Sequence, residues 1–249
     1  MKALICIGHV PDTTSKIKFT DNDTKFDTTD IKYIIGPYEE LALTRLLDLR
    51  DAGTDMHITT VTVGTQETEP TIRKALAMGA DDAVRVNAEA SDNLFIAKQI
   101  AEVFKNGDYD IIITGKESID YNGGQLEGMI AEFLNLPSVS GASKFDIEGD
   151  KILLEQEIEG GTLKLEASFP FVVSAGKGFC PEPEPRIPNM RGIMTARKKP
   201  LQVVEPVAKE AVTEIIKYHL PEPKPACKMI DPDNVEELVR LLHEEAKVI

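Results

Sequence analysis

The segment YDIIITGKESIDYNGGQ, residues 109–125, carries the most informative local chemistry in the sequence. An apolar run ends at Gly115, and polar and glycine residues then precede a helical pattern. In open parallel α/β sheets, ligands bind at the carboxyl ends of strands, where backbone amides and a helix N-terminus face an anion. The segment therefore predicts a nucleotide or anion site. A glycine-rich turn with solvated polar side chains is an equally simple interpretation.

Two shorter segments are further candidates for the same edge of a sheet. In GPYEE, residues 36–40, Gly36 and Pro37 would bring the backbone close to a ligand bound above the sheet, and the ring of Tyr38 could stack on that ligand. A helix start with a core tyrosine is the simpler interpretation. Gly64 ends the apolar run TTVTVG, where a tight turn is the alternative. Neither GxGxxG after the first strand nor GxxxxGK[ST] is present, so the common nucleotide fingerprints are missing.

Groups for catalysis or metal binding are poorly arranged. The four histidines are scattered and pair with no nucleophile in a known motif: His9, His57, His219 and His243. No HExxH pattern or Cys/His cluster offers a metal site. We therefore predict no catalytic residue and no metal, which favours a binder or carrier over a self-sufficient enzyme.

A basic segment stands out against the acidic chain. RIPNMRGIMTARKKP, residues 186–200, holds five lysines and arginines and no acidic residue, although the whole chain has 28 basic and 42 acidic residues and a net charge of −14. The acidic, proline-rich CPEPEP precedes it directly. This basic segment is too short to make the chain a nucleic-acid binder, because neutralising phosphates requires a basic face.

The rest of the sequence indicates whether the protein enters a membrane, is exported or remains in a reducing compartment. No run of about 18 apolar residues is present, so we predict no membrane span. The first residues, MKALICIGHVPD, are interpreted as a buried strand and not as a signal peptide. Three cysteines without metal-ligand spacing favour a reduced, cytoplasmic setting.

Strand-like and helix-like patterns alternate through the first half. Apolar runs at 3–10 and 57–64 are each followed by a helical pattern, at 37–53 and 67–79 respectively. Repeated strand–helix order predicts parallel strands with helices on both faces. The expected fold is therefore α/β, a three-layer αβα domain with a mostly parallel, doubly wound sheet.

The pattern changes twice after Pro137. Alternating residues at 142–168, with turns at Gly149-Asp150 and Gly160-Gly161, predict a β-hairpin excursion before a last apolar strand at 170–176. Residues 201–249 are proline-rich and end in an amphipathic helix with Val235, Leu238, Leu241 and Leu242 on its apolar face. We predict a nucleotide-binding domain at 1–200 and an arm at 201–249, which covers its own domain or a partner.

Three blocks together resemble one family, the β (small) subunit of electron transfer flavoprotein. They are TIRKALAMGADDAVRV (71–86), GKESIDYNGGQ (115–125) and the basic segment at 186–200. The resemblance implies a heterodimer with an α subunit on which the arm packs. It implies one redox-active FAD, mainly on the large subunit and near the interface, and a buried structural AMP in the small one. Electrons would come from acyl-CoA dehydrogenase-type donors of fatty acid oxidation and pass to a quinone-linked or other acceptor oxidoreductase.

The resemblance also assigns the AMP contacts by position. They are Cys6, Gly36, Pro37, Tyr38, Glu39, Val63, Gly115, Lys116, Glu117, Ser118, Ile119, Asp120, Tyr121, Asn122, Gly123, Gly124, Gln125 and Leu126. Gly36 replaces an asparagine of the family, so one side-chain hydrogen bond is lost. Tyr121, Gly123, Gly124 and Leu126 replace more polar residues. Asp120, Asn122 and Gln125 remain as the expected polar contacts.

Two alternatives remain open. A bifurcating subgroup of the family binds a second FAD where AMP otherwise lies, and HVPDTTSKIKF, residues 9–19, is similar to its entry segment. The loop at 115–126 lacks the polar run that accompanies that FAD, so we expect AMP. A free-standing nucleotide-binding regulatory protein is the other alternative, although the late glycine-rich phosphate motif of such sensors is missing.

The basic segment resembles the family's recognition loop for dehydrogenase partners. Met190 aligns with the apolar anchor, and methionine is adaptable enough to serve several partners. A cationic rim would steer acidic surfaces toward it. The predicted docking residues are Arg186, Met190, Arg191, Ile193, Met194, Arg197 and Lys198. An exposed basic loop without a binding role is the alternative.

Overall fold

The computed structural model describes residues 1–181, 185–207, 211–224 and 226–249. Pro183, in the proline-rich stretch before the basic segment, lies outside the described residues. The strands, in chain order, are β1 (Lys2–Cys6), β2 (His9–Pro11), β3 (Phe19–Thr20), β4 (Lys25–Phe26), β5 (Tyr33–Ile35), β6 (His57–Val63), β7 (Asp82–Val86), β8 (Ile111–Gly115), β9 (Ser138–Glu148), β10 (Lys151–Ile158), β11 (Gly161–Ser168), β12 (Phe171–Ala175) and β13 (Leu201–Val204). The α-helices are α1 (Pro37–Asp51), α2 (Glu69–Met78), α3 (Asn93–Lys105), α4 (Leu126–Leu134), α5 (Met190–Ala196) and α6 (Val235–Arg240).

Within the described residues, nine strands form one sheet in the order β11-β10-β9-β12-β8-β1-β6-β7-β13. The pairs from β9 across to β13 in this order are parallel, whereas β9–β10 and β10–β11 are antiparallel. The predicted three-layer αβα fold with a mostly parallel sheet is confirmed. The antiparallel excursion is also present, and its turns contain Gly149 at φ +62° and Gly160 at φ +86°.

Apolar residues on alternate faces of the strands form two core layers. Ala3 and Ile5 of β1 pack on the side of α1 and α2, where Leu47 and Leu76 are fully buried. Leu4 packs on the opposite side, with the buried residues of α3 and α4. Because the central strands are buried on both faces, they have continuous apolar sequences, as expected of a parallel sheet.

Local sequence sets the ends of the first two long helices. Pro37 occupies the first turn of α1, where its missing amide costs nothing. The chain leaves α1 at Gly53, with φ +112°, and α2 at Gly79, with φ +144°. These left-handed conformations favour glycine. The helices predicted at 37–53 and 67–79 are therefore present, and a short 3₁₀ turn at Gln66–Thr68 precedes α2.

The apolar run at 3–10, predicted as one strand, forms two. β1 lies in the main sheet, and β2 pairs antiparallel with β5 in a separate two-stranded sheet. The chain changes direction around Gly8, where a Cβ atom would lie 3.2 Å from Glu39 Oε1. Glycine therefore allows the chain to pass this buried carboxyl as it leaves the sheet.

The C-terminal part divides at Val204. β13, the first four residues of the predicted arm, pairs parallel with β7 and extends the main sheet of its own chain. Among the described residues after it, the helical structure is α6 and the π-helical turn Leu241–Glu245. Leu241 is buried, while Val235 and Leu238 of α6 are exposed. None of the helices in the described part of the chain combines the length and hydrophobicity needed to cross a bilayer.

Candidate functional site

A cavity of about 590 Å³ opens at the carboxyl ends of three neighbouring parallel strands. Its floor includes Cys6 at the end of β1, Val63 at the end of β6 and Gly115 at the end of β8. Small-molecule sites commonly enclose roughly 300–1,000 Å³, so the cavity is large enough for such a ligand. It lies at the sheet edge where the sequence predicts a ligand site.

Most of the residues predicted to contact a nucleotide line this cavity. They are Cys6, Glu39, Val63, Gly115, Lys116, Glu117, Ser118, Asp120, Tyr121, Gly123, Gly124, Gln125 and Leu126. Gly36, Pro37, Tyr38, Ile119 and Asn122 are not among the lining residues. Of the three expected polar contacts, Asp120 and Gln125 therefore face the cavity, and Asn122 does not.

The carboxyl of Glu39 is enclosed by three glycines from separate segments. Glu39 lies in the first turn of α1 and is 7% exposed. A Cβ atom on Gly115 would lie 2.8 Å from Glu39 Cδ, one on Gly8 would lie 3.2 Å from Oε1, and one on Gly36 would overlap the carboxyl. A side chain at Gly36 or Gly115 would therefore require the carboxyl to shift, whereas one at Gly8 would make a tight contact with it.

This carboxyl is incompletely paired. Glu39 Oε2 is buried and has no hydrogen-bond partner among the described residues. Burial raises the pKa of Glu39 to about 7, and the negative charge of Asp120 adds to this effect, while a hydrogen bond from the residue's own amide opposes it. Because a buried polar atom without a partner is costly, Oε2 is suited to receive a hydrogen bond from a ligand.

The loop after β8 has a defined backbone. The amide of Lys116 donates to the Ala175 carbonyl at 2.9 Å, and the amide of Asn122 donates to the Ser118 carbonyl at 2.8 Å. Asn122 and Gly124 have left-handed φ values of 49° and 59°. These turns bring the chain into α4, whose N-terminus has no side-chain cap. Its first amides therefore remain available to a ligand.

The charges around the cavity are mostly negative. Six acidic residues contribute to the lining: Glu39, Glu67, Glu89, Asp92, Glu117 and Asp120. Among the described residues that line it, Lys116 is the only lysine or arginine. A phosphate would therefore be most favourable near Lys116 and the amides of α4, since a helix N-terminus carries partial positive charge. Hydroxyl and amino groups of a ligand suit the carboxylates.

An aromatic pair forms part of the opposite wall. The rings of His9 and Tyr33 stack with centroids 4.1 Å apart and planes 10° apart. His9 Nδ1 lies 2.8 Å from Thr71 Oγ1 in a hydrogen bond. Burial lowers the pKa of His9, although Glu67 opposes this effect, so the imidazole is mainly neutral at pH 7. The wall therefore offers uncharged aromatic surface.

Several lining residues are not predicted by the sequence patterns. His9 and Tyr33 come from the β2–β5 pair, and Asp92 lies at the start of α3. Ligands bind at the carboxyl ends of parallel strands, which is the basis for predicting a site at 115–126. The same reasoning indicates Asp92, because Asp92 follows β7 and precedes α3. Thr213 and Ile215 come from the C-terminal region and also line the cavity. No periodicity in that region indicates their position.

The basic segment forms an exposed surface on another part of the chain. Met190 is 74% exposed and Met194 is 68% exposed, and Ile193 is also exposed on the same short helix, α5. Asn189 caps α5 by accepting a hydrogen bond from the amide of Gly192 at 2.8 Å. The helix packs against α2, where a Cβ atom on Gly192 would overlap the carbonyl of Ala77.

The predicted docking residues differ in their surroundings. Arg186 is held by its own chain, because its Nε donates to Asp48 Oδ1 at 2.8 Å and its Nη1 donates to Asp51 Oδ2 at 2.7 Å. Arg191, Arg197 and Lys198 are exposed. Arg186 is therefore engaged in fixing the start of the segment, and the other three supply its exposed charge.

Comparison with known proteins identifies the family. The family model described as "Electron transfer flavoprotein domain" matches residues 23–209. The chain belongs to the beta-subunit family of electron transfer flavoproteins. It is 35% identical over 234 residues to "Electron transfer flavoprotein subunit beta" of Syntrophomonas wolfei, covering 94% of this chain and 91% of that protein. The Bacillus subtilis subunit beta is 34% identical over 265 residues and the Bos taurus subunit beta 29% over 255, with at least 99% of both chains covered in each case.

Membership of the family confirms the resemblance noted in the sequence. It assigns the chain to electron transport by a flavoprotein, and a beta subunit implies an alpha subunit as its partner. The match at 23–209 includes Glu39, the loop at 115–126 and the basic segment. The site described above therefore lies largely within the part of the chain that defines the family.

Glu39 predicts a specific pH dependence of stability. The pKa of the folded form is about 7 against the ordinary 4.5, so stability contributed by the protonated carboxyl is complete below pH 4.5 and is lost as the pH rises to 7. Compared with Glu39→Gln, the nucleotide-free parent should lose about 3 kcal/mol of unfolding free energy over this range. Urea unfolding from pH 4 to 8 measures the difference, with the exposed Glu132→Gln as the control. Parallel curves for parent and Glu39→Gln would contradict a buried, poorly paired carboxyl.

Proposed function

We propose that the chain is the small subunit of a heterodimeric electron transfer flavoprotein that carries electrons from acyl-CoA dehydrogenase-type donors to a quinone-linked or other acceptor oxidoreductase. Family membership is the observation that carries the proposal. FAD, bound mainly by the alpha subunit and near the interface, supplies the redox chemistry. This chain contributes a nucleotide site, a docking surface and an arm. We place the complex in the cytoplasm, in fatty acid oxidation.

The cavity at the strand ends supports AMP as the nucleotide held by this chain. Its volume of about 590 Å³ accommodates a mononucleotide, and Gly115, Gly123 and Gly124 expose backbone in its lining. No described residue donates a hydrogen bond to Glu39 Oε2, and a ribose hydroxyl or the adenine amino group would provide one. Lys116 and the amides of α4 are suited to the phosphate. The residues therefore fit the group, with a structural and not a catalytic role.

Extraction of the purified heterodimer tests the nucleotide assignment. Acid treatment followed by chromatography should release one AMP and one FAD per complex. Gly115→Ala should lower the AMP content strongly and leave FAD unchanged, because the new Cβ atom would press on the Glu39 carboxyl. Gly161→Ala is the matched control, since nothing lies within 4 Å of its Cβ position.

The same extraction separates the alternatives. Two FAD and no AMP would assign the chain to the bifurcating type, in which the second flavin occupies this cavity. Neither AMP nor a second FAD would contradict a nucleotide site in this chain. A colourless homodimer without an alpha subunit would support a free-standing regulatory protein and oppose the proposed function.

The exposed surface of α5 supports docking of a dehydrogenase. Met190 and Met194 present apolar surface that the chain itself does not cover, and Arg191, Arg197 and Lys198 surround it with positive charge. The helix is also firmly seated, since Arg73 Nη1 donates to the carbonyls of Ala196 and Lys199 at 2.8 Å. A preformed surface loses less conformational entropy when it binds.

Met190→Ala should slow electron transfer from a dehydrogenase about tenfold or more at subsaturating concentrations, because truncating an interface anchor commonly costs more than about 1–2 kcal/mol. The content of FAD and AMP should not change. Arg191→Glu should mainly lower the association rate, and its effect should shrink as salt is raised. Stopped-flow reduction of the flavin measures both variants. Ile158→Ala, exposed on β10 and outside both the docking segment and the arm, is the control. Equal slowing by the control, or no slowing by Met190→Ala with any donor, would refute the docking assignment.

The exposed apolar residues of the C-terminal region support contact with the alpha subunit. Leu220, Met229, Val235 and Leu238 are between 42% and 84% exposed. Burying such side chains contributes about 25 cal/mol per Å² of apolar surface, so a partner would gain substantially from covering them. The arm in this proposal begins after Tyr218, because β13 belongs to the main sheet and the amide of Tyr218 donates to the Asp23 carbonyl of the domain at 2.7 Å.

Removing residues 219–249 should weaken association with the alpha subunit and leave the α/β domain folded. Native mass spectrometry across a dilution series measures the dissociation constant, and circular dichroism monitors the fold. We expect at least a tenfold weaker complex. Removing only the C-terminal dipeptide, residues 248–249, is the control. A complex of unchanged affinity after the long deletion would show that the arm has another role.

A further inference from the structure

Residues 211–218, here called the strap, cross the mouth of the nucleotide cavity. The strap contains neither helix nor strand, and its residues Thr213 and Ile215 are part of the cavity lining. It lies outside the segments through which the family resemblance assigns AMP contacts. The cavity is thus built from the parallel sheet on one side and from a segment of the C-terminal region on the other.

The first end of the strap is anchored by Asp92. Its Oδ1 accepts a hydrogen bond from the amide of Phe95 at 2.7 Å and so caps α3. Its Oδ2 accepts hydrogen bonds from the strap, from the amide of Val212 at 2.6 Å and the amide of Thr213 at 3.0 Å. Burial alone would raise the pKa of Asp92, but the hydrogen bonds from these three amides lower it. The carboxylate is therefore charged at neutral pH and joins the strap to the start of α3.

The second end is anchored by Tyr218. Its ring stacks on Phe19 with centroids 4.6 Å apart and planes 9° apart. Its amide donates to the carbonyl of Asp23 at 2.7 Å. Phe19 and Asp23 belong to the β3–β4 hairpin, so the hairpin holds the strap at this end. Burial raises the pKa of Tyr121, which lines the cavity, and the nearby Tyr218 side chain adds to this effect.

The strap is weakly packed between these anchors. Val212 is 64% exposed, Ile215 is 44% exposed and Ile216 is 82% exposed. Segments with few buried apolar contacts open locally at low free-energy cost. The hydrogen bonds to Asp92 and the stack on Phe19 are consequently the main interactions that keep the strap over the cavity.

We propose that the strap is a wall of the nucleotide site, that Thr213 and Ile215 contact the bound nucleotide, and that the strap must lift before the nucleotide can leave. In this arrangement Asp92 and Tyr218 are positioning residues that hold the strap over the nucleotide, and Asp92 also lines the cavity itself. The proposal rests on the proposed nucleotide site and goes beyond it, since it assigns control of nucleotide exchange to the C-terminal region.

Release of labelled AMP from the purified heterodimer tests the strap. The complex is loaded with radiolabelled AMP and diluted into excess unlabelled AMP. Asp92→Asn keeps a residue that caps helices well but replaces the acceptor facing the strap with an amide group. Tyr218→Leu removes the stack on Phe19. Each variant should release AMP at least tenfold faster than the parent and keep its FAD. Asp150→Asn, on an exposed turn, and Leu163→Ala, exposed on β11, are the controls.

Hydrogen exchange on the parent complex gives a measurement that requires no variant. The amides of residues 211–218 should exchange at least several-fold more slowly with AMP bound than after AMP is stripped, because the ligand adds contacts to the strap. Unchanged exchange, or unchanged AMP release in both anchor variants, would overturn the strap proposal and leave the nucleotide site intact. A parent complex that takes up no labelled AMP would overturn the proposed AMP site and the strap proposal with it.

Discussion

The cavity depends on the close approach of three glycine backbones to the carboxyl of Glu39. Gly8 follows β1, Gly36 precedes α1 and Gly115 ends β8, so three separate segments meet at one buried group. A side chain at Gly36 or Gly115 would displace the carboxyl or separate the segments. The resulting site has a floor of strand ends, a buried acceptor that is not paired by any described residue, and the N-terminus of α4, which has no side-chain cap within the described part of the chain.

Much of the fold follows from sequence patterns that act locally. Continuous apolar strands such as IIIT in β8 indicate burial on both faces, and glycines at Gly53 and Gly79 end helices that begin with acidic turns. These patterns do not determine which strands pair when the strands are far apart in the sequence. The split of the run at 3–10 and the pairing of β13 with β7 depend on partners far away in the chain.

The same limit applies to the site. The loop at 115–126 is recognisable because a strand end, glycines and a helix start are adjacent in sequence. Thr213 and Ile215 lie at the cavity because the strap is anchored to Asp92 and to the β3–β4 hairpin, both more than 100 residues earlier, and no local pattern indicates these contacts. Arg186 likewise belongs to a basic segment in sequence but pairs with Asp48 and Asp51 of α1 in the structure. Charge patterns identify a cationic segment without showing which of its members are already paired.

The proposed nucleotide cavity and the proposed docking surface of α5 differ in their charge, which suits them to different partners. The cavity is acidic, with the fixed amides of α4 available at one end, whereas the surface of α5 is apolar and ringed by exposed positive charge. We propose that a nucleotide lies between Glu39, the loop at 115–126 and the strap. A crystal structure of the purified heterodimer with its natural nucleotide retained tests this claim most directly. We expect density for one nucleotide in this cavity, with a hydroxyl or amino group within hydrogen-bond distance of Glu39 Oε2. An ordered cavity holding only water, or a nucleotide bound elsewhere on this chain, would contradict it.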